Sequence, residues 1–227
     1  MMLWSLFLNH PGRIAHKWKH YFPVYEKHFS RYINRPVVMF EIGCGEGGSL
    51  QLWKQYLGPL ATIVGLDIRP ECKAFEEDQI QVRIGDQSNP DFLGTVLREF
   101  GPPDIVLDDG SHITKHVVAS FQFLYPHVTR DGIYFVEDLQ TAYWDEFGGG
   151  HKRPGTFIEL CKDLMDELNA QYSRGSVQES DFSKTTLSMS MYNALAVFEK
   201  GSIGHTFNIQ LGQGKESLTV TQPPLVG

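Results

Sequence analysis

Short apolar runs bounded by glycine, proline and aspartate alternate along the chain with stretches in which apolar residues recur every three or four positions. The first pattern predicts buried strands and the second amphipathic helices; their alternation predicts a parallel sheet with crossover helices. Strands are expected over 37–43, 61–68, 80–84, 104–107 and 133–136, and helices over 49–57, 90–100 and 113–127. Asp91 falls in the first turn of the 90–100 helix, where negative charge suits the helix dipole. After Trp144 the regularity weakens at Phe147-Gly148-Gly149-Gly150, and a helix over 155–172 resumes with Phe157, Leu160, Cys161, Leu164 and Leu168 on one face. Two closing strands are expected at 194–198 and 206–210. The fold class is therefore α/β: a mostly parallel seven-stranded sheet with one antiparallel strand and helices on both faces. The division expected is an N-terminal helical segment (1–36), one α/β domain (37–211) and a tail (212–227).

Composition narrows the class of partner. A chain of 227 residues with 41% hydrophobic and 21% charged residues is globular and large enough for one domain. The net charge of −7, with no strong basic run, argues against a nucleic-acid partner. Three widely spaced cysteines, Cys44, Cys72 and Cys161, form neither a metal pattern nor a disulfide framework, so a reducing, cytoplasmic location is expected. The opening Met1-Met2-Leu3-Trp4-Ser5-Leu6-Phe7-Leu8 is too short to span a bilayer and lacks a basic leader. It reads as a packing segment or a subunit contact of a homo-oligomer, with an interfacial membrane contact as the weaker reading; stable membrane insertion is not expected.

Candidate chemistry begins between the first strand and its helix, at Glu41-Ile42-Gly43-Cys44-Gly45-Glu46-Gly47-Gly48. Glycines there permit a sharp turn and close approach of a nucleotide-type ligand, although the spacing alone does not separate S-adenosylmethionine from NAD. Asp67 ends the second strand, where a carboxylate can accept both ribose hydroxyls; a helix N-cap before Pro70 is the alternative. Asp86 ends the third strand and suits either an adenine amine or a solvated turn.

Asp108-Asp109-Gly110-Ser111-His112 closes the fourth strand and Glu137-Asp138 closes the fifth. Ligands of an open parallel sheet gather at the carboxyl ends of its strands, so this rim collects several carboxylates and a histidine. Such carboxylates repel one another unless a cation lies between them, and an oxygen-rich set suits magnesium. Asp109, Glu137 and Asp138 are the expected metal ligands. His112, three residues after Asp109, is either a functional or a surface histidine. Thr141-Ala142-Tyr143-Trp144 reads as the wall of an acceptor pocket or as core.

With these blocks, the chain resembles the magnesium-dependent macrolide sugar O-methyltransferases of the mycinamicin and macrocin type, from about Lys17 to Trp144. The resemblance rests on Glu41 to Gly45, Ser49-Leu50-Gln51-Leu52-Trp53-Lys54, Val64-Gly65-Leu66-Asp67, Gly85-Asp86-Gln87, Asp108 to His112 and Val136 to Trp144. It implies a Rossmann-like methyltransferase fold and S-adenosylmethionine bound by Glu41, Gly43, Gly45, Gly47, Ser49, Asp67, Asp86, Gln87 and Asp108. It further implies magnesium on Asp109, Glu137 and Asp138, His112 as catalytic base, and a substrate pocket at Gln140, Tyr143 and Trp144. The implied acceptor is a sugar hydroxyl of a glycosylated natural product. In that family an added N-terminal region helps to build the acceptor site; here a short segment precedes the first strand and the glycine loop is compact, which leaves the acceptor side open. A catechol-like or other small vicinal diol would use the same metal geometry. An NAD-dependent oxidoreductase would account for the glycines and Asp67 but leave the acidic strand ends without a task. A non-catalytic cofactor-binding protein is a further alternative.

Overall fold

A computed structural model describes residues 2–202, 204, 208–210 and 219–221. Two N-terminal helices, α1 (Leu3–Leu8) and α2 (Phe22–Phe29), precede β1 (Val38–Ile42). The chain then alternates through α3 (Gly48–Leu57), β2 (Thr62–Asp67), β3 (Ile80–Ile84), α4 (Pro90–Phe100), β4 (Ile105–Asp108), α5 (Thr114–Leu124) and β5 (Ile133–Val136). It closes with α6 (Phe157–Leu168), α7 (Asp181–Thr185), β6 (Thr186–Tyr192) and β7 (Leu195–Lys200), followed by the short strands β8 (Asn208–Gln210) and β9 (Thr219–Thr221).

The main sheet runs β3-β2-β1-β4-β5-β7-β6. Six strands run in one direction, β1 to β5 paired in parallel and β6 at the far edge, and β7 runs antiparallel to both its neighbours, so it is the one reversed strand. The expected architecture holds, but the identity of the seventh strand differs. Residues 208–210 of the expected 206–210 strand pair with 219–221 in a separate two-stranded ribbon, so one short segment past residue 212 is a strand. The other residues from 211 onward lie outside the described ones. The edge strand is instead β6, joined to β7 through Asn193-Ala194 with Ala194 at φ +62°. Its sequence, Thr186-Leu187-Ser188-Met189-Ser190-Met191-Tyr192, sets serines between apolar residues and exposes Leu187 and Met191, as edge strands do, and gives no continuous apolar run to read.

Local chemistry sets the element ends. Asn89 caps α4 by accepting from the Asp91 and Phe92 amides, and Thr156 caps α6 by accepting from Glu159. Pro126 follows α5 within a 3₁₀ turn (Tyr125–His127), which is why the expected helix over 113–127 stops short.

Each sheet face carries its own core. On one face Leu3, Tyr21, Tyr25 and Phe29 join Met39, Trp53 and Phe135. Leu3 and Leu6 of the opening apolar segment pack here, so residues between 2 and 36 contribute to the core of the domain. The other face packs α4, α5 and α6 against Phe40, Val106 and Tyr134. Cys44, Cys72 and Cys161 are buried and unpaired. Among the described residues no helix is long and apolar enough to cross a membrane.

The N-terminal segment docks through Trp53, whose ring meets Tyr25 at 5.1 Å and Phe29 at 5.5 Å, both edge-on. Trp53→Ala is expected to cost about 3–5 kcal/mol of unfolding free energy. Urea denaturation checks this; a midpoint unchanged from the parent would contradict the packing.

Candidate functional site

β1 ends at Ile42, and the glycine loop turns the chain into α3 across the carboxyl end of the sheet. Gly43 has φ +89°, and a Cβ there would lie 2.1 Å from the Asp109 carbonyl oxygen, so only glycine fits beside the β4 loop. Asp67 braces this loop from β2: its carboxylate accepts from the Cys44 amide at 2.8 Å and from the Arg69 amide at 2.9 Å. Burial works to raise the Asp67 pKa, but these amides and the Arg69 guanidinium hold it below its ordinary value. Glu41 is buried beneath the loop, where Ser49 Oγ donates to it at 3.0 Å.

Two cavities adjoin at Gly43. The first, of about 330 Å³, is lined by Asp67, Ile68, Asp86, Gln87, Ser111 and His116 among others. The second, of about 250 Å³, is lined by Lys17, Gly45, Ser49 and the acidic rim of Asp109, His112, Glu137 and Asp138. Asp86 lines the first cavity and also forms the turn that was its alternative reading, accepting from the Ser88 amide at 2.8 Å. Gln87 is a spacer: its Oε1 accepts from the Ser111 amide at 2.7 Å and its Nε2 donates to Asp108 at 3.1 Å.

Asp108, expected among the cofactor residues, lines neither of these cavities. It is fully buried behind Gln87, accepting from Ser120 Oγ at 2.5 Å and Tyr134 OH at 3.3 Å. Burial pushes its pKa up to about 6 against the pull of Ser120 and Gln87. Its side chain points to the α5 face because successive residues of a strand alternate sides. Asp108 thus supports the wall, while Asp109 faces the cavity.

The rim exists because β4 and β5 are neighbours in register, Asp108 opposite Val136, so the residues that follow emerge side by side. Asp109, His112 and Asp138 each offer one ligand atom, all within 4.8 Å of one another. His112 Nε2 stands 3.7 Å from both Asp109 Oδ1 and Asp138 Oδ2. His112 (φ +56°) and Asp138 (φ +54°) both take the left-handed backbone conformation, a strain common where side chains are aimed for function. Asp138 Oδ1 also accepts from Tyr21 OH at 2.6 Å.

Glu137 is the expected ligand that the structure sets apart. It is buried, accepts from Tyr25 OH, and faces Lys17 Nζ at 3.2 Å. The same ammonium meets Asp109 Oδ2 at 2.6 Å and Glu41 Oε1 at 3.4 Å. Burial raises the Glu137 pKa well above the carboxylate range, as does the nearby Asp109; Lys17 and Tyr25 oppose this. Burial alone would depress the Lys17 ammonium, yet Asp109, Glu137 and Glu41 carry its pKa above the ordinary value.

Sequence reasoning missed Lys17, Tyr21 and Tyr25. Lys17 gives no signal among His16, Trp18, Lys19 and His20, all of them polar or aromatic. The two tyrosines stand four apart with Phe22 and Phe29 and were legible as a helix face, not as donors to carboxylates. Of the expected substrate pocket, Gln140 has a buried Oε1 without a hydrogen-bond partner, and Tyr143 and Trp144 are half-exposed. They are therefore not core, and they line neither cavity. Trp144 lies 5.9 Å from Phe147, whose ring is 6.4 Å from His112, which puts this aromatic group on the outer flank of the rim.

No family model matches the chain. It is 39% identical over 197 residues to the mycinamicin VI 2''-O-methyltransferase of Micromonospora griseorubida, covering 80% of this chain and 48% of that protein. It is 41% identical over 196 residues to the demethylmacrocin O-methyltransferase of Streptomyces fradiae, covering 80% of this chain and 49% of that one. Among solved structures it is similar to the methyltransferase MycE of the mycinamycin pathway in complex with Mg, SAH and mycinamycin VI. That likeness has a TM-score of 0.80 and 36% identity, covering 89% of this chain and 54% of that one. The chain spans about half the length of these relatives. Across that stretch it is homologous to macrolide sugar O-methyltransferases, and its fold is the Rossmann-like methyltransferase fold.

Ser120→Ala removes a donor from the buried Asp108 carboxylate and is expected to cost about 1–3 kcal/mol. Chemical denaturation checks it; an unaltered midpoint would mean that the Asp108 network does not brace the cavity wall.

Proposed function

We propose that this chain, a homologue of the sugar O-methyltransferases, transfers a methyl group from S-adenosylmethionine to a sugar hydroxyl of a glycosylated natural product, with magnesium at the acidic rim. The observation that carries the reading is the junction at Gly43: a nucleotide-sized cavity opens directly beside one lined by Asp109, His112, Glu137 and Asp138. An oxidoreductase reading gives that second cavity no work.

In this reading the first cavity takes the adenosine. Asp67 and Asp86 offer carboxylate oxygens there, and the Gly43–Gly47 backbone allows the methionyl part to pass toward the rim. Asp109 and Asp138, whose oxygens lie with His112 inside 4.8 Å, suit a hard cation, and Glu137 borders the same cavity as the third oxygen donor. When bound, magnesium supplies charge that makes a sugar hydroxyl more acidic, and S-adenosylmethionine supplies the activated methyl group. His112 Nε2 is beyond hydrogen-bond distance of either carboxylate, so it would be free to take the hydroxyl proton. Trp144 and Phe147, on the outer flank of the rim, would border the acceptor.

The net charge of −7 supports a small glycoside rather than nucleic acid as partner, and three buried thiols support a reducing, cytoplasmic setting.

Labelled S-adenosylmethionine with candidate glycosides tests the reaction. Chelation is expected to abolish transfer and magnesium to restore it; full activity after metal removal would overturn the metal role. His112→Ala is expected to lower turnover by about 10²–10⁴-fold with S-adenosylhomocysteine binding retained by calorimetry. Unchanged turnover would remove His112 as the base.

A further inference from the structure

The segment Arg13–Trp18 lies across the glycine loop as a strap. At one end the Arg13 amide donates to Gln51 Oε1 at 2.9 Å, and its guanidinium donates to the Phe75 carbonyl at 3.0 Å and pairs with Glu77 at 3.2 Å. In the middle, the Gly48 amide donates to the Ile14 carbonyl at 3.2 Å, and a Cβ on Gly48 would meet the Arg13 carbonyl oxygen at 2.2 Å. At the other end Lys17, with only 2% of its side chain exposed, reaches into the rim, and the Trp18 carbonyl accepts from the Tyr21 amide at 3.1 Å.

Lys17 does not merely neutralise a neighbour. Its ammonium touches Asp109 at 2.6 Å and Glu137 at 3.2 Å, two of the three carboxylates read as metal ligands. At Glu137 both oxygens lie within 3.3 Å of the ammonium, and at Asp109 it takes Oδ2 and leaves Oδ1 toward His112, so a divalent ion served by both would stand close to Lys17, and two cations that close repel. We infer that Lys17 is an internal cation competing with the divalent ion for Asp109 and Glu137, so that metal entry and seating of the strap's rim end exclude each other. This rests on the metal reading above. Without the ion, Lys17 balances carboxylates that would otherwise repel, and the rim stays folded. With the ion, Asp109 and Glu137 would serve it and Lys17 would leave its place between them, while Arg13 stays anchored at the far end. Lys17 is a positioning residue in this scheme, because it acts through the carboxylates.

Mn²⁺ serves as the probe, followed by calorimetry and by electron paramagnetic resonance of the bound ion. Lys17→Met keeps an unbranched side chain, one atom shorter, and removes its charge. It is expected to bind Mn²⁺ roughly tenfold or more tightly than the parent. An affinity equal to or weaker than the parent's would overturn the competition, leaving Lys17 as a permanent brace. A parent protein that binds no Mn²⁺ would overturn the metal reading itself, which separates the two failures. The unaltered protein provides a second measurement should Lys17→Met not fold. Reductive methylation followed by peptide mass analysis is expected to label Lys17 several-fold faster with Mg²⁺ than without, with the exposed Lys152 as the reference amine. Labelling of Lys17 that is indifferent to Mg²⁺ would overturn the proposal.

Discussion

Parallel pairing of β1, β4 and β5 in one register is the constraint from which the site follows. Ile42 lies opposite Asp108, and Asp108 opposite Val136, so three loops leave the sheet at one level. Their crowding is severe enough that Gly43 can carry no side chain against the Asp109 carbonyl. Because strand side chains alternate, that level also divides adjacent acids between jobs: Asp108 goes into the α5 face and Asp109 into the cavity. The pleat converts a pair of identical residues into one brace and one cavity-facing carboxylate.

Electrostatics then shapes what the register has assembled. One ammonium, Lys17, stands against Glu41, Asp109 and Glu137, with Tyr25 donating to Glu137 and Tyr21 to Asp138. Burying charge is costly and is repaid only when partners are close and well aligned. An apolar substitute of similar volume would often serve stability as well, so so many buried ionisable groups point to use rather than to structural need. Tyr25 lies in α2, which completes one core, and Tyr21 ends the 3₁₀ turn just before it, which couples docking of residues 21–29 to the order of the rim.

Much of this was legible from residue order. Alternating apolar runs give the parallel strands, and the loops after β1, β2, β4 and β5 carry the acids and glycines in recognisable blocks. β6 was missed because the expected strands followed continuous apolar runs, whereas its Leu187, Met189 and Met191 alternate with serines, the period-two pattern of a half-exposed strand. The expected 206–210 strand had a suitable pattern, yet its residues 208–210 pair with 219–221, since a local pattern does not specify a partner.

The sequence by itself determined that a nucleotide-type loop and an acidic rim share one edge of an α/β sheet, because both follow from local patterns and from where parallel strands end. Tertiary structure alone decided which acids face the cavity and which cation meets them. Asp108 and Asp109 differ by the pleat, and Glu137 and Asp138 by a left-handed turn at Asp138. Lys17 reaches Glu137 across 120 residues of chain. Contacts at that separation depend on the packing of whole elements, for which no short window of residues holds a signal.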